Sequence, residues 1–245
     1  SNITGATDTS FTIPSDQTYV DKYIRLIVIA SDSRGGTTEF ESNAQQVVNV
    51  EDEATGSLTF TGVVEEGGTL IANTNNIQDD DGSLTFTYQW QLADTDNFDS
   101  NSNISGATNS TLIIPSDQSY VNKFIRLTVV SEDSRGGTTS FVSSSAQVLN
   151  VNDKPVFTST PVLTADEDSV YTYNIVITDE DNEISTITAS TLPSFLTLTD
   201  NGDNTATLTG TPLQANLGDN QVVIVATDPS GGVTNQEFTI SVANV

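Results

Sequence analysis

A short polar stretch near residue 150 holds the side chains best suited to chemistry in this sequence. Asn150, Asn152 and Asp153 offer side-chain oxygen atoms, and Pro155 follows closely. Proline lacks a backbone N–H and fixes φ, so it suits the first residue of a strand rather than a sheet interior. Carboxylate and amide oxygens are the ligands that hard cations such as calcium prefer. The stretch therefore predicts a linker between two domains that holds a hard cation.

Acidic turns on either side of this linker extend the candidate site. The following domain offers Asp179 and Asp181 in one turn and Asp228 in another, and Glu66 lies near the start of the preceding domain. The arrangement has an earlier counterpart in Glu51, Asp52, Asp79, Asp81 and Asp133. A single aspartate could instead cap local backbone in an Asx turn. Because the same set occurs at two linkers, we predict calcium (Ca2+) at both.

The composition excludes several classes of function. The 245 residues include 33 acidic and 7 basic ones, which gives a formal net charge of −26. Such a chain repels nucleic acids and anionic membrane surfaces, and no apolar run is long enough to span a membrane. Cysteine and histidine are absent, so disulfides, zinc sites and the usual catalytic bases and nucleophiles are excluded. A glycosidase-type carboxylate pair would need a cleft, which nothing in the sequence indicates. We expect no enzyme activity, no nucleic-acid partner and no membrane insertion.

An internal repeat organises the first two thirds of the chain. Three motifs recur about 101 residues later, a period that corresponds to a whole domain rather than to a solenoid turn. The pairs are Ser1–Thr7 with Ser102–Thr108, Ile13–Gln17 with Ile114–Gln118, and Ser33–Thr38 with Ser134–Thr139. The repeat predicts three domains: residues 1–53, which match only the second half of a repeat, residues 54–152, which form a complete repeat, and residues 153–245.

The elements of these domains read as β-strands. Ser83–Gln91 alternates strictly and places four apolar residues, including Trp90, on one face. Tyr120–Val130, Thr138–Val142 and Ser169–Ile177 are further predicted strands, with turn signals between them. No segment keeps a helical period, so we predict an all-β fold of tandem antiparallel β-sandwiches. Trp90 is predicted to fill the core of the middle sandwich, with a sugar-stacking role as the alternative.

Several motifs resemble those of known families. Tyr88-Gln-Trp-Gln91, Ser105-Gly-Ala-Thr108 and the segments Lys123–Arg126 and Asp133–Gly137 resemble Ig-like repeats of large bacterial surface adhesins, among them repeats-in-toxin and biofilm proteins. Glu167–Tyr171, Leu192–Leu196 and Leu208–Pro212 resemble a bacterial cadherin-like domain, and the linker resembles the calcium-binding linker of cadherins, from which Lys154 departs. This resemblance implies Ig-like and cadherin-like sandwiches, with one calcium cluster at each junction built from the linker and two loops.

These observations together predict a structural and adhesive segment of an extracellular bacterial surface protein. Its calcium-bound linkers would stiffen a rod of β-sandwich repeats, and its partners would be calcium ions, neighbouring repeats and other copies of the protein. Two alternatives stay open. The chain could be a carbohydrate-binding module, or a filament subunit in which another chain completes the half domain. We expect the half domain to be a window from a longer array, because half a sandwich cannot bury its apolar face.

Overall fold

The computed structural model describes residues 1–99 and 101–245. They form two compact units. Unit 1 comprises Ser1–Val63, Thr69–Ile113 and Lys123–Gln147, and unit 2 comprises Val64–Gly68, Ile114–Asn122 and Val148–Val245. Within the described ranges, no helix has the length and apolar character needed to cross a membrane.

Seven strands of unit 1 form the two sheets of an antiparallel sandwich. They are β5 (Thr59–Gly62), β6 (Thr69–Asn73), β7 (Thr85–Ala93), β8 (Thr111–Ile113), β9 (Phe124–Glu132), β10 (Thr138–Val142) and β11 (Ala146–Gln147). One sheet has the order β5-β6-β8. In the other, β9 pairs with β7 along one edge over nine residues, and with β10 and then β11 along its other edge.

Trp90 in the middle of β7 is a core residue, as predicted. Its exposed fraction is 0 %, and its ring meets that of Phe60 edge to face at 5.5 Å between centroids. The indole N–H donates to the Asn109 carbonyl oxygen at 3.0 Å, so the one polar atom of the ring is satisfied. A sugar could not stack on this ring.

The first 53 residues form only short strands. These are β1 (Tyr23–Ile24), β2 (Ile27–Ser31), β3 (Thr37–Glu41) and β4 (Gln45–Gln46), paired as β1 with β4 and β2 with β3. They repeat β9 to β11, but β9 is divided in two. Leu26 and Val28 are 57 % and 48 % exposed, whereas their counterparts Leu127 and Val129 are 0 % and 1 % exposed. Residues 1–53, all of which the structure describes, contain no counterparts of strands β5 to β7.

Most of unit 2 is a second sandwich. Its strands are β12 (Val156–Phe157), β13 (Thr164–Asp166), β14 (Tyr171–Thr178), β15 (Thr186–Thr191), β16 (Leu196–Asp200), β17 (Thr205–Gly210), β18 (Gly218–Thr227) and β19 (Val233–Ala243), with a 3-10 turn at Gln214–Asn216. The sheet orders are β12-β14-β17-β16 and β13-β19-β18-β15, antiparallel except for the β13–β19 pair. Strand β14 shows why this sequence folds as a sheet, since its residues alternate strictly between buried and exposed from Tyr171 onward. The buried residues line one continuous core that includes Ile175, Leu208 and Ile224.

Two further segments of unit 2, Val64–Gly68 and Ile114–Asn122, bring distant parts of the chain to its linker. Glu65 forms a parallel bridge with Leu149, the Gly67 N–H donates to the Pro115 carbonyl at 3.0 Å, and the Asn122 N–H donates to the Val148 carbonyl at 2.9 Å. The last bond corrects one predicted strand: Tyr120–Val130 is not extended throughout. Asn122 adopts a left-handed φ of 64°, so the strand begins only at Phe124.

The chain is thus an all-β protein with antiparallel, Ig-like β-sandwiches, as the alternating sequence pattern predicted.

Candidate metal centres

Two groups of carboxylates, one in each unit, lie close enough to share a metal ion. The first acidic cluster consists of Glu51, Asp81 and Asp133, and the second acidic cluster consists of Glu66, Asp153 and Asp181. In each cluster, one oxygen atom from every carboxylate lies within 4.8 Å of the others. Both clusters combine residues that are far apart in sequence, so the fold creates them.

In the first cluster, Asp81 is held by the linker and by its own loop. The loop between β6 and β7 contains an Asx turn in which Asp79 Oδ1 accepts the Asp81 N–H at 2.7 Å. The Asp81 carboxylate, 4 % exposed, accepts the backbone N–H of Asp52 at 2.8 Å and the side-chain N–H of Gln17 at 2.6 Å. Asp79 and Asp52 thus position Asp81, while their own carboxylates lie outside the group of three.

Asp133 enters the cluster from the turn between β9 and β10. Its Oδ1 accepts the backbone N–H groups of Arg135 and Gly136, and Gly136 has a φ of 97° that favours glycine. A Cβ on Gly137 would lie 1.3 Å from Glu51 Oε1, so only glycine lets the two carboxylates approach here. Asp133 is 6 % exposed, and its buried Oδ2 has no hydrogen-bond partner. An unpartnered buried carboxylate oxygen is costly unless a cation meets it.

The two facing carboxylates of the first cluster have opposite pKa shifts. Backbone hydrogen bonds, first of all from Arg135, lower the pKa of Asp133. Loss of hydration raises the pKa of Glu51, and the neighbouring Asp133 carboxylate raises it further. Glu51 therefore carries the cost of bringing these charges together, a cost that a divalent cation would offset.

The second cluster keeps the loop aspartate of this arrangement and differs in its two other carboxylates, because Asp153 is the repeat counterpart of Asp52 and Glu66 takes the place of Asp133. Asp179 Oδ1 accepts the Asp181 N–H at 2.9 Å, and Asp181 Oδ2 accepts the Asp153 N–H at 2.8 Å. The third carboxylate is that of Glu66, 7 % exposed, whose Oε1 accepts the Val151 N–H at 2.7 Å. One buried oxygen each of Asp153 and Asp179 has no hydrogen-bond partner. The parallel bridge beside Glu66 brings this residue to the linker.

Burial and like charges disfavour ionisation in the second cluster. Burial raises the pKa of Glu66, and the charges of Asp153 and Asp181 raise it further. Burial is also the main reason why the pKa of Asp179 is raised, and Asp181 and Asp228 add to it. Among the described residues, the negative charges of the ionised cluster are therefore not balanced by nearby positive charge.

The remaining predicted ligands of this linker lie beside the cluster and not in it. Asp228, expected to join Asp153 and Asp181, is outside the group of three. Asn152 Nδ2 donates to Asp228 Oδ2 at 3.2 Å, and Asn150 Oδ1 accepts an N–H of Gln118. Asp228 is 3 % exposed; its burial opposes ionisation, but hydrogen bonds from Gly232 and Asn152 outweigh this and lower its pKa.

Sequence reasoning did not single out two glutamines that contact the clusters. Gln17 and Gln118 close the repeated Ile-Pro-Ser-Asp-Gln motif and donate to Asp81 and Asp181 respectively. The repeat of this motif was the available signal. The candidate ligand atoms of both clusters are carboxylate oxygens, and such ligands, without histidine nitrogen or cysteine sulfur, favour calcium over zinc. The residues present therefore fit a calcium ion.

The comparison with protein families agrees with the fold of the second sandwich. Residues 154–243 match the family described as "Putative Ig domain". Among solved structures, the SrpA adhesin from Streptococcus sanguinis is 19 % identical, with a TM-score of 0.34, over 38 % of this chain and 59 % of that one. The sialic acid binding region of a Streptococcus sanguinis SK1 adhesin is 12 % identical, with a TM-score of 0.33, over 79 % and 78 %. The endo-fucoidan hydrolase MfFcnA4 is 20 % identical, with a TM-score of 0.34, over 92 % and 34 %.

The search of curated proteins found no significant match. The family match places the last part of the chain among Ig-like domains, which is the class that its two sheets define. The chain spans about three fifths of the SrpA chain it resembles. At these identities and TM-scores, the likeness to solved structures carries no argument about fold, ligands or activity.

Proposed function

We propose that this chain is a structural and adhesive segment of an extracellular bacterial surface protein, whose successive β-sandwiches are stiffened by calcium at their linkers. The observation that carries the proposal is the pair of acidic clusters, each beside a linker between predicted domains. Their buried, unpartnered oxygen atoms are a liability in the absence of a cation. Asp81, Asp133 and Glu66 are buried, whereas a protein that merely needed solubility would leave them in water.

Coulomb energy gives the direction of the effect. Three carboxylates with oxygen atoms within 4.8 Å of one another repel, and a divalent ion reverses the sign of the interaction. Because calcium would bind the folded protein and not the unfolded chain, it raises stability by mass action. Each ion would tie the linker to two loops of its unit, so domain boundaries at about residues 53 and 152 would become more rigid in calcium.

The test is a thermal melt of the whole chain in calcium and in EGTA. We expect a higher Tm in calcium and little gain with magnesium, which demands a tighter octahedral site. Asp181→Asn should reduce the calcium gain and Asp181→Lys should nearly abolish it. Asp219→Asn is the matched control, because Asp219 is an exposed acid outside both clusters.

Equal melting temperatures in calcium and EGTA would refute the calcium proposal. Small-angle scattering of the whole chain gives a second measurement. We expect the maximum dimensions of the molecules to be spread over a narrower range in calcium than in EGTA. The carbohydrate-binding alternative predicts a hit on a glycan array instead. Its aromatic candidates are poorly placed for it: Trp90 is buried, and the Arg126 guanidinium lies 4.2 Å from the centre of the Phe98 ring.

A further inference from the structure

A glutamine amide lies among the oxygen atoms of each linker site. Gln118 Nε2 is 2.8 Å from Asp181 Oδ1, 2.8 Å from Asn150 Oδ1 and 3.2 Å from Glu66 Oε2. A primary amide has only two N–H donors. The Gln118 amide nitrogen therefore has three oxygen neighbours and only two protons. An environment so rich in oxygen atoms attracts a cation.

Unit 1 repeats this contact with different neighbours. Gln17 Nε2 is 2.6 Å from Asp81 Oδ1 and 2.9 Å from Asn49 Oδ1. In both places the amide joins a linker asparagine 32 residues later to a loop aspartate 63 or 64 residues later. The two loops belong to domains of unlike sequence, so the shared contact is not a by-product of the repeat.

Each glutamine is the central residue of an Asx turn. Asp117 Oδ1 accepts the Ser119 N–H at 2.9 Å, and Asp16 Oδ1 accepts the Thr18 N–H at the same distance. Ile114, at the start of the second motif, is fully buried. The turn therefore fixes the direction of the glutamine, and its contacts do not depend on a freely moving surface side chain.

We propose that Gln118 and Gln17 are amide clasps, positioning residues that hold the acidic loop against the linker when no cation is bound. The N–H groups offset part of the repulsion between the carboxylates. An ammonium group would do so more strongly, and a carboxylate would do the opposite. A calcium ion bound among these oxygen atoms would displace the amide, and this part rests on the proposed function. The clasp in the absence of calcium does not.

The experiment measures variants of the whole chain in EGTA, where calcium plays no part. Gln118→Ala should lower Tm by about 2–8 °C, the shift expected for one net hydrogen bond. It should also speed amide hydrogen exchange in the loop 179–183. Gln118→Glu should lower Tm further, because it adds a carboxylate to the cluster. Gln214→Ala is the control, an exposed glutamine of the same unit.

Gln118→Lys separates a clasp from a merely structural residue. Its ammonium group can take the place of the amide among the oxygen atoms, so its Tm in EGTA should equal or exceed that of the wild type. Where the wild type gains Tm from calcium, this variant should gain less. A fall in Tm for lysine as large as that for alanine would overturn the proposal, as would values for alanine and glutamate equal to the control. If the Tm of the wild type does not rise in calcium, the proposed function fails. The clasp is still tested by the Tm values in EGTA, which should fall in the order Lys, Gln, Ala, Glu at position 118.

Discussion

Trp90 is the residue whose replacement best separates a structural segment from a carbohydrate-binding module. The side chain is fully buried, packs against Phe60 and donates its N–H to Asn109. Replacing a large core aromatic by alanine costs about 3–5 kcal/mol. The orphaned Asn109 carbonyl costs about 1–3 kcal/mol where water cannot reach it, part of which is already in that range. Since domains are stable by only about 5–15 kcal/mol, Trp90→Ala should bring the middle sandwich close to unfolding.

Trp90→Phe separates the two contributions. Phenylalanine keeps an aromatic ring against Phe60 but cannot donate to Asn109, so we expect a loss of about 1–3 kcal/mol. For a domain of this size that corresponds to a fall in Tm of roughly 4–8 °C per kcal/mol. Denaturant unfolding followed by circular dichroism measures both variants. Their midpoints should fall in the order wild type, Phe, Ala.

A specific result would refute this reasoning. If Trp90→Ala unfolded at the wild-type denaturant concentration and lost binding on a glycan array, the ring would be a ligand platform in solution. The 0 % exposure of Trp90 would then belong to a closed state that opens to admit sugar. A destabilised variant with an unchanged glycan array supports the structural role.

Two matched exchanges within the chain test the remaining points. Glu51→Gln should raise Tm in EGTA and reduce the gain in Tm from calcium, because an amide can donate to Asp133 as Asn152 donates to Asp228 at 3.2 Å. Asn152→Glu should lower Tm in EGTA and increase the gain from calcium. Changes in Tm of the same sign for both variants would contradict the argument. Leu127→Ala should cost about 2–5 kcal/mol, whereas Leu26→Ala at the equivalent, 57 % exposed position should stay within about 0.5 kcal/mol. Equal losses by denaturant unfolding would mean that Leu26 is covered in solution.

Local patterns were enough to predict most of the fold. The alternation in β14 reflects one buried and one exposed sheet face, and such alternation needs no long-range information. The error at Tyr120 has a local cause. Asn122 tolerates a left-handed conformation better than most residues, and its N–H bonds to Val148, a pairing that an alternating pattern does not reveal.

The site was predictable only as far as spacing within single segments allowed. The structure brings Asp153 of the linker close to Asp181 of the next loop, as a short linker leads one to expect. Glu66 reaches its cluster through the bridge between Glu65 and Leu149, a pairing 84 residues apart in the chain. Glu66 was predicted as a candidate ligand from its place near the start of the preceding domain, but no local signal shows that this acid reaches the linker. Gln118 was overlooked because an uncharged amide does not stand out among carboxylates.

The linker backbone, and not the spacing of the acids, sets the geometry of both clusters. The N–H of Asp52 donates to Asp81 Oδ2 at 2.8 Å over 29 residues, and the N–H of Asp153 donates to Asp181 Oδ2 at 2.8 Å over 28 residues. The difference of one residue is absorbed in the intervening chain, yet the same atoms meet at the same distance. A cation arriving at either cluster would therefore find the linker already joined to its loop. Such preorganisation reduces the entropy that binding must overcome. Calcium would then act on an assembled frame, so its effect should appear mainly as a gain in stability and rigidity and less as a change in fold.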